Sequence, residues 1–123
     1  MDKFDRFDNR ADTDGSENKL LSSLGLCARA RALVIGTPMV IESLRKGGAN
    51  KPRLVLEACD TSDNTHKRIS DRCEFYNVRR IRISSNCSEL GRALGKAAVA
   101  AVAIVDASFC RAIEGKLTEA DQK

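Results

Sequence analysis

The residues best suited to bind a ligand surround a predicted helix start in the stretch RARALVIGTPM. Thr37 can cap a helix that begins after Gly36, and Pro38 suits its first turn because the missing N–H would have no helical partner there. A helix N-terminus presents free N–H groups and partial positive charge, which favour a phosphate. Gly36 lets a ligand approach the backbone, and Arg29 and Arg31 lie just upstream in the chain to hold further phosphates. The stretch therefore predicts a phosphate-binding helix N-terminus.

A second segment, GKAAVAAVAIVD, leads from a basic helix end into a strand. Arg92 and Lys96 supply positive charge, and the small apolar residues Val99, Ala100 and Ala101 follow them. An apolar loop of this kind can receive an unstacked base, and RNA recognition favours such sites because RNA loops and bulges expose base faces. Taken separately, the two segments also fit an ordinary capped helix and a buried strand. Together they predict an RNA site.

An enzyme would have to use the single histidine, His66, which lies seven residues from both Cys59 and Cys73. A Cys–His pair needs a hydrogen-bonded contact, and two helical turns would separate His66 from Cys73 by about 10 Å. Cys59, at a strand end, can approach His66 from outside the helix, so a thiol enzyme remains an alternative. The glycine motifs of nucleotide-binding loops do not occur in the sequence.

The five cysteines contain no CxxC pair, and neighbouring cysteines are at least 14 residues apart. Zinc sites and disulfide frameworks place cysteines closer together or in even numbers. The sequence therefore predicts reduced, structural thiols, no metal site and no cofactor.

Helical and strand patterns alternate along the chain, which predicts an α/β fold, an α/β/α sandwich around a small sheet with some parallel pairing. The strand VRRIRI alternates isoleucine with arginine and should lie near a sheet edge. Expected caps are Ser16 or Asn18 for the first helix, a residue of 60–62 for the third, Asn86 for the fourth and Asp106 for the last. The expected strands are 33–35, 54–58, 78–83 and 99–105.

Charge is distributed unevenly along the 123 residues. Residues 1–18 carry a net charge of −3 and read as a flexible acidic leader, whereas the rest carries +7. We expect one domain over 19–116 and a polar tail over 117–123. A basic domain favours a polyanionic partner, although a net charge of this size is also explained by solubility alone.

No run is apolar enough for a membrane helix or a signal peptide, so we expect a cytoplasmic protein without a membrane partner.

The motifs LGLCARA, DTSDNTHK, DRCEFYNV and SELGRALGK occur in an order that resembles the kink-turn-binding ribosomal-protein family of the L7Ae and L30e type. The likeness is closer to the small bacterial YlxQ-like members and covers about residues 20–113. It implies a three-layer α/β/α sandwich with a four-stranded mixed sheet. It also implies an RNA-binding protein without catalysis.

The resemblance implies that RNA is held by the turn into the second helix and by the apolar loop before the last strand. Here these are residues 36–39 and 97–101. Kink-turn readers carry asparagine, glutamate and lysine where this chain has Pro38, Met39 and Glu42. We therefore expect a monomer that binds structured RNA, ribosomal or other non-coding RNA, with the ribosome or a protein as a further partner. The alternative is a protein-interaction module on the same fold, with Met39 exposed at the helix start.

Overall fold

The structure, a computed structural model, describes residues 11–117, with side chains for residues 19–49 and 51–117. Within that range the chain forms five α-helices, four strands and one short 3-10 turn at Gly48–Asn50. The elements in chain order are α1 Ala11–Arg29, β1 Leu33–Ile35, α2 Thr37–Lys46, β2 Leu54–Glu57, α3 Asp63–Phe75, β3 Arg80–Arg82, α4 Cys87–Ala93, β4 Ala101–Ile104 and α5 Ala107–Glu114.

The four strands form one mixed sheet in the order β1-β4-β2-β3. Strand β4 is antiparallel to both of its neighbours, whereas β2 and β3 are parallel. The parallel pair follows from the crossover through α3, which returns the chain to the end where β2 began. The predicted mixed sheet and the edge position of VRRIRI are confirmed.

Alternating strand residues build two cores, one on each face of the sheet. Leu54, Leu56, Val102 and Ile104 pack with residues of α1, α4 and α5. Val55 and its neighbours on the other face of the sheet pack with residues of α2 and α3. Because the central strands are buried on both faces, they read as continuous apolar runs rather than as alternating ones. The predicted α/β/α sandwich is confirmed.

Helix α1 starts earlier than predicted. Residues 11–18 of the predicted leader are already helical, so neither Ser16 nor Asn18 is the cap of α1. The rest of the predicted leader, residues 1–10, and residues 118–123 of the predicted tail lie outside the described residues. Leu117, where the tail was expected to begin, is buried in the core.

Three of the predicted caps are confirmed. The side chains of Ser62, Asn86 and Asp106 accept hydrogen bonds from the first turns of α3, α4 and α5, and Glu89 completes a capping box with Asn86. The predicted Thr37 cap is wrong. Gly36 occupies the N-cap position of α2 with φ 96°, a conformation that a glycine adopts without strain, and Thr37 is the first helical residue.

Hydrogen bonds across the sheet define its two ends. At the Gly36 end, Gly36, Ala101, Glu57 and Arg82 lie in a row across the four strands. At the Arg53 end, the row is formed by Ala32, Val105, Arg53 and Arg79.

Between residues 11 and 117, no helix is long and apolar enough to cross a membrane.

Candidate nucleic-acid interface

The two segments predicted to bind RNA meet at the Gly36 end. The Gly36 N–H donates a hydrogen bond of 2.9 Å to the Ala101 carbonyl, which joins the start of α2 to the start of β4. Val99 lies two residues before Ala101. The structure therefore brings the helix start and the apolar loop side by side.

Among the residues that the structure describes, no side chain caps the N-terminus of α2. The Gly36 carbonyl accepts the Val40 N–H at 2.9 Å, but the N–H groups of Thr37 and Met39 in the first turn have no intrahelical acceptor. The Thr37 side chain is turned inward, and its buried hydroxyl has no hydrogen-bond partner within the described part of the chain. Pro38 and Met39 are exposed beside it. This helix end therefore offers donors to an anion, as expected.

The apolar loop presents different residues from those predicted. Val99 is 4% exposed and Ala101 is fully buried, because Val99 enters the core below α4 and Ala101 enters the core on the opposite face. Ala97 and Ala98 are exposed, and Ala100 is half-buried. The surface open to a base is therefore formed by these three alanines, whereas Val99 and Ala101 support them from below.

The loop is fixed against α4. The Val99 N–H donates to the Cys87 carbonyl at 3.0 Å, and the Lys96 N–H donates to the Gly91 carbonyl at 2.8 Å. A Cβ on Gly91 would lie 2.7 Å from the Cα of Ala98, so only a glycine allows this close approach. Arg92 and Lys96 are both exposed on this unit of helix and loop, as predicted.

The two upstream arginines do not flank the α2 start. Arg31 precedes β1 and Gly36 follows it, so the strand separates them by about 16 Å. Arg31 lies at the Arg53 end, next to Ala32, whose carbonyl accepts the Val105 N–H at 3.0 Å. Arg29, the last residue of α1, lines a groove with Gly25 and Ala93. The expectation that Arg31 lies close to Gly36 is wrong. The two residues are near in sequence, but an extended strand separates them in space.

A buried carboxylate at the Gly36 end was not predicted. Glu57 is fully buried at the end of β2 and accepts hydrogen bonds from Arg80 Nη1 at 2.7 Å and from the Thr61 hydroxyl. Its other neighbours are His66 Nδ1 at 2.8 Å and Arg82 Nε at 3.8 Å. A buried carboxylate needs such partners, because burial of an unpaired charge is costly. The single glutamate in the apolar run LVLEA was the sequence signal for this cluster.

A second carboxylate joins the loop after β2 to α4. Asp60 Oδ1 accepts the Cys87 N–H at 2.8 Å, and hydrogen bonding by Cys87 lowers the pKa of Asp60 below its ordinary value of 3.8. Burial and the hydrogen bond with Asp60 raise the pKa of the Cys87 thiol to about 11. Asp60 thus holds the start of α4 at this end of the sheet.

These contacts disfavour the thiol-enzyme alternative. His66 Nδ1 faces Glu57, and burial and the nearby Asp60 raise the pKa of the Cys59 thiol, so the reactive thiolate is scarce. Among the side chains that the structure describes, no group of three histidine, cysteine or acidic residues is arranged to hold a metal ion.

Comparison with known sequences gives consistent matches. The model of the Ribosomal protein L7Ae/L30e/S12e/Gadd45 family matches residues 18–113. The RNA-binding protein YlxQ of Bacillus subtilis (strain 168) is 41% identical over 86 residues, which are 70% of this chain and 82% of that protein. The RNA-binding protein YlxQ of Enterococcus faecium is 30% identical over 83 residues, 68% of this chain and 77% of that protein. These relatives are named as RNA-binding proteins and not as enzymes.

Solved structures show the same fold. A protein of unknown function from Bacillus halodurans C superposes with a TM-score of 0.70 and 34% identity, over 80% of this chain and 95% of that one. The 15.5kD RNA binding protein of Giardia lamblia superposes with a TM-score of 0.65 and 19% identity, over 83% of this chain and 84% of that one. At that lower identity the likeness is one of fold.

Proposed function

Because the chain belongs to the Ribosomal protein L7Ae/L30e/S12e/Gadd45 family, as a YlxQ-like bacterial member, we propose that it binds structured RNA at the Gly36 end, without catalysis. In the first turn of α2, the N–H groups of Thr37 and Met39 donate to the RNA backbone, whereas Pro38 has no N–H to donate. Ala97, Ala98 and Ala100 pack on an unstacked base, and Arg92 and Lys96 hold neighbouring phosphates.

One observation carries this proposal: the uncapped N-terminus of α2 is hydrogen-bonded to the start of β4, directly beside a loop of exposed alanines. The helix end supplies donors for a phosphate, and the loop supplies an apolar surface for a base. The N-termini of α3, α4 and α5, by contrast, each bond to a capping side chain, so fewer of their donors are open to a ligand. Arg29, beside α4, is an outer contact in the proposal.

The proposed RNA is structured, ribosomal or another non-coding RNA, and it is read mainly by shape. Pro38 and Met39 stand where kink-turn readers carry asparagine and glutamate, so those base-reading side chains are missing. Glu42 stands where the kink-turn readers carry lysine, and its carboxylate is paired with Arg45 on the same helix.

The cytoplasmic location and the monomeric state predicted from the sequence remain predictions.

The test is a titration of a kink-turn RNA, a plain RNA duplex and a mixed-sequence RNA pool across a series of salt concentrations. We expect affinity to fall steeply with salt, because bound phosphates release counterions. Arg92→Ala/Lys96→Ala should weaken binding and reduce the slope. The control, Arg68→Ala/Arg72→Ala, removes the same charge from the exposed side of α3 and should change neither. Equal binding by the two double variants would contradict the proposed site.

Exchange of the two non-matching residues tests the choice of RNA. Pro38→Asn/Met39→Glu should raise the preference for the kink-turn RNA over the duplex, since each bidentate base contact contributes about 1–3 kcal/mol of discrimination. An unchanged preference would mean that the RNA does not contact the α2 start.

A protein-interaction module is the second candidate function, and one observation favours it. Met39 is 57% exposed beside a hollow of about 280 Å³ that Val34 and Ser43 also line. Methionine adapts well to protein surfaces. Absence of binding to every RNA in the titration would favour this candidate over the first.

A further inference from the structure

We propose that the Arg53 end is a second RNA-binding surface, which holds the backbone of an A-form duplex while the Gly36 end holds another segment. The inference goes beyond the proposed function and rests on it only for the class of ligand.

A basic hollow marks this end. Lys51, Arg53 and Arg79 line a depression of about 500 Å³ together with Gly48 and Asn77. Arg79 is paired with Glu114, whereas Lys51 and Arg53 are exposed and form no ion pair within residues 11–117. Lys51 and Arg53 therefore present positive charge that the described part of the protein leaves uncompensated.

Cations from further elements extend the hollow. Arg111 is exposed on α5, the helix whose Glu114 pairs with Arg79 at 2.6 Å. Arg31 lies two strands away from Arg53, beside Ala32 in the same row. The Arg53 end thus gathers arginines from the start of β1, the start of β2, the segment before β3 and α5.

Ordinary structural roles do not account for Lys51 and Arg53. Arg45 and Lys46 occupy the last turn of α2, where cations stabilise the helix dipole, but Lys51 and Arg53 lie on no helix. The acidic groups nearby are already engaged: Asp106 caps α5, and Glu114 accepts a hydrogen bond from Arg79 at 2.6 Å. At the Gly36 end, by contrast, Arg80 and Arg82 surround the buried Glu57.

The backbone under these cations is fixed. The Arg53 N–H donates to the Ile104 carbonyl at 2.7 Å, and the Arg79 carbonyl accepts the Val55 N–H at 2.9 Å. Because the sheet holds their backbones, the two arginines lose less freedom on binding than cations on a loop would. Sheet-held arginines suit the regularly spaced phosphates of a duplex, which RNA-binding proteins recognise by shape rather than by sequence.

The two ends are too far apart to form one small site. Ala101 and Val105, at opposite ends of β4, are four residues apart, which is about 13 Å along a strand. Two separate segments of a structured RNA, or two RNA molecules, can therefore be held at once.

The first experiment measures binding of a plain RNA duplex of roughly 16 base pairs, long enough for backbone recognition. Lys51→Ala/Arg53→Ala should weaken binding about tenfold and lower the salt slope by about 1–2, since each lost phosphate contact removes about 0.9. Arg68→Ala/Arg72→Ala is the charge-matched control and should bind like the unmodified chain. Arg53→Lys should retain most of the affinity, and thermal unfolding checks that each variant is folded. Equal affinities for the two double variants would overturn the inference.

The second experiment tests whether the two ends bind at the same time. Donor-labelled kink-turn RNA and acceptor-labelled duplex are mixed with the protein, and energy transfer between the RNAs is measured. Transfer should disappear in Lys51→Ala/Arg53→Ala and in Arg92→Ala/Lys96→Ala, and persist in the α3 control. Transfer that survives Lys51→Ala/Arg53→Ala contradicts a second surface at this end.

The outcomes separate this inference from the proposed function. Kink-turn RNA binding weakened by Arg92→Ala/Lys96→Ala, with duplex binding unchanged in Lys51→Ala/Arg53→Ala, leaves the proposed function intact and removes the Arg53 surface. Duplex binding weakened by Lys51→Ala/Arg53→Ala, with kink-turn RNA binding unchanged in Arg92→Ala/Lys96→Ala, supports the Arg53 surface and removes the proposed site at the Gly36 end. Failure of the unmodified chain to bind any of these RNAs removes both.

Discussion

Glu57 is a fully buried carboxylate in a strand whose other residues are all apolar. Arg80, whose side chain is 24% exposed, and Arg82, at 42%, keep the cluster in contact with solvent. A buried charge of this kind is tolerated because charged and hydrogen-bonding partners replace the lost water. Its main effect is to fix the positions of α3 and β3 relative to β2.

Glu57→Gln should lower the free energy of unfolding by about 3 kcal/mol, because it leaves Arg80 partly buried without a charged partner. Urea unfolding measures the difference. The control, Glu42→Gln, removes only the exposed pair with Arg45 and should change stability little. Equal losses in the two variants would mean that the Glu57 cluster adds nothing beyond a surface pair.

Asp60 gives a pH-dependent prediction. Its pKa is lowered in the folded protein, so its contribution to stability is fully present above its ordinary value of 3.8 and is lost as the pH falls through the folded-state pKa. Asp60→Asn should therefore be less stable than the unmodified chain between about pH 5 and 8, and the difference should shrink below about pH 4. Thermal unfolding across this range measures it. A difference that stays constant down to low pH would contradict a role for the charged carboxylate.

At the scale of elements, α4 and the loop that follows it act as one unit. Gly91 lets the loop approach the helix, and Val99 and Lys96 bond the loop back to the helix backbone. The exposed alanines therefore have fixed positions, which reduces the entropy cost of packing against a base.

Gly91→Ala tests this unit, because the added methyl would lie 2.7 Å from the Cα of Ala98 and push the loop away. We expect lower stability and weaker RNA binding together, measured by thermal unfolding and by titration of the kink-turn RNA. Gly25→Ala is the matched control: its methyl meets only the Ala93 carbonyl at 3.5 Å, an ordinary contact. That variant should be more stable by up to about 1 kcal/mol, because alanine favours a helix interior. Stability gained in both variants would contradict the close packing at Gly91.

At the scale of the whole molecule, both cores share one sheet, and each core contains buried cysteines. Cys27 and Cys110 lie on the α1 face, and Cys73 lies on the α3 face. Burial raises the pKa of both Cys27 and Cys73 to about 11, so their thiols are protected twice, by burial and by protonation.

Alkylation at rising urea concentration should therefore label the exposed Cys59 first, and Cys27 and Cys73 later at one common midpoint. A common midpoint is expected because loss of the sheet exposes both faces in a single cooperative step. Mass spectrometry of the labelled peptides gives the midpoint for each cysteine. Separate midpoints for Cys27 and Cys73 would show that the two layers unfold independently.

The sequence by itself determined the type and order of the elements and the N-terminal caps of three helices, whereas strands predicted over 54–58, 78–83 and 99–105 are shorter in the structure. Ser62, Asn86 and Asp106 act within one helical turn, and alternation in VRRIRI reports an edge strand, so local rules suffice for them. Local rules failed at Thr37, because Gly36 can take the cap position with a positive φ, and at Ser16 and Asn18, which lie inside α1 rather than at its cap.

Only the tertiary structure decided which residues share an end of the molecule. Arg31 is five residues from Gly36 in the chain, yet it lies beside Ala32 and Val105 at the opposite end of the sheet. Glu57 and Arg80 are distant in sequence but form a buried ion pair. The physical reason is that sheet order and register, set by burial of two faces at once, determine which ends of strands coincide. Spacing along the chain does not carry that information.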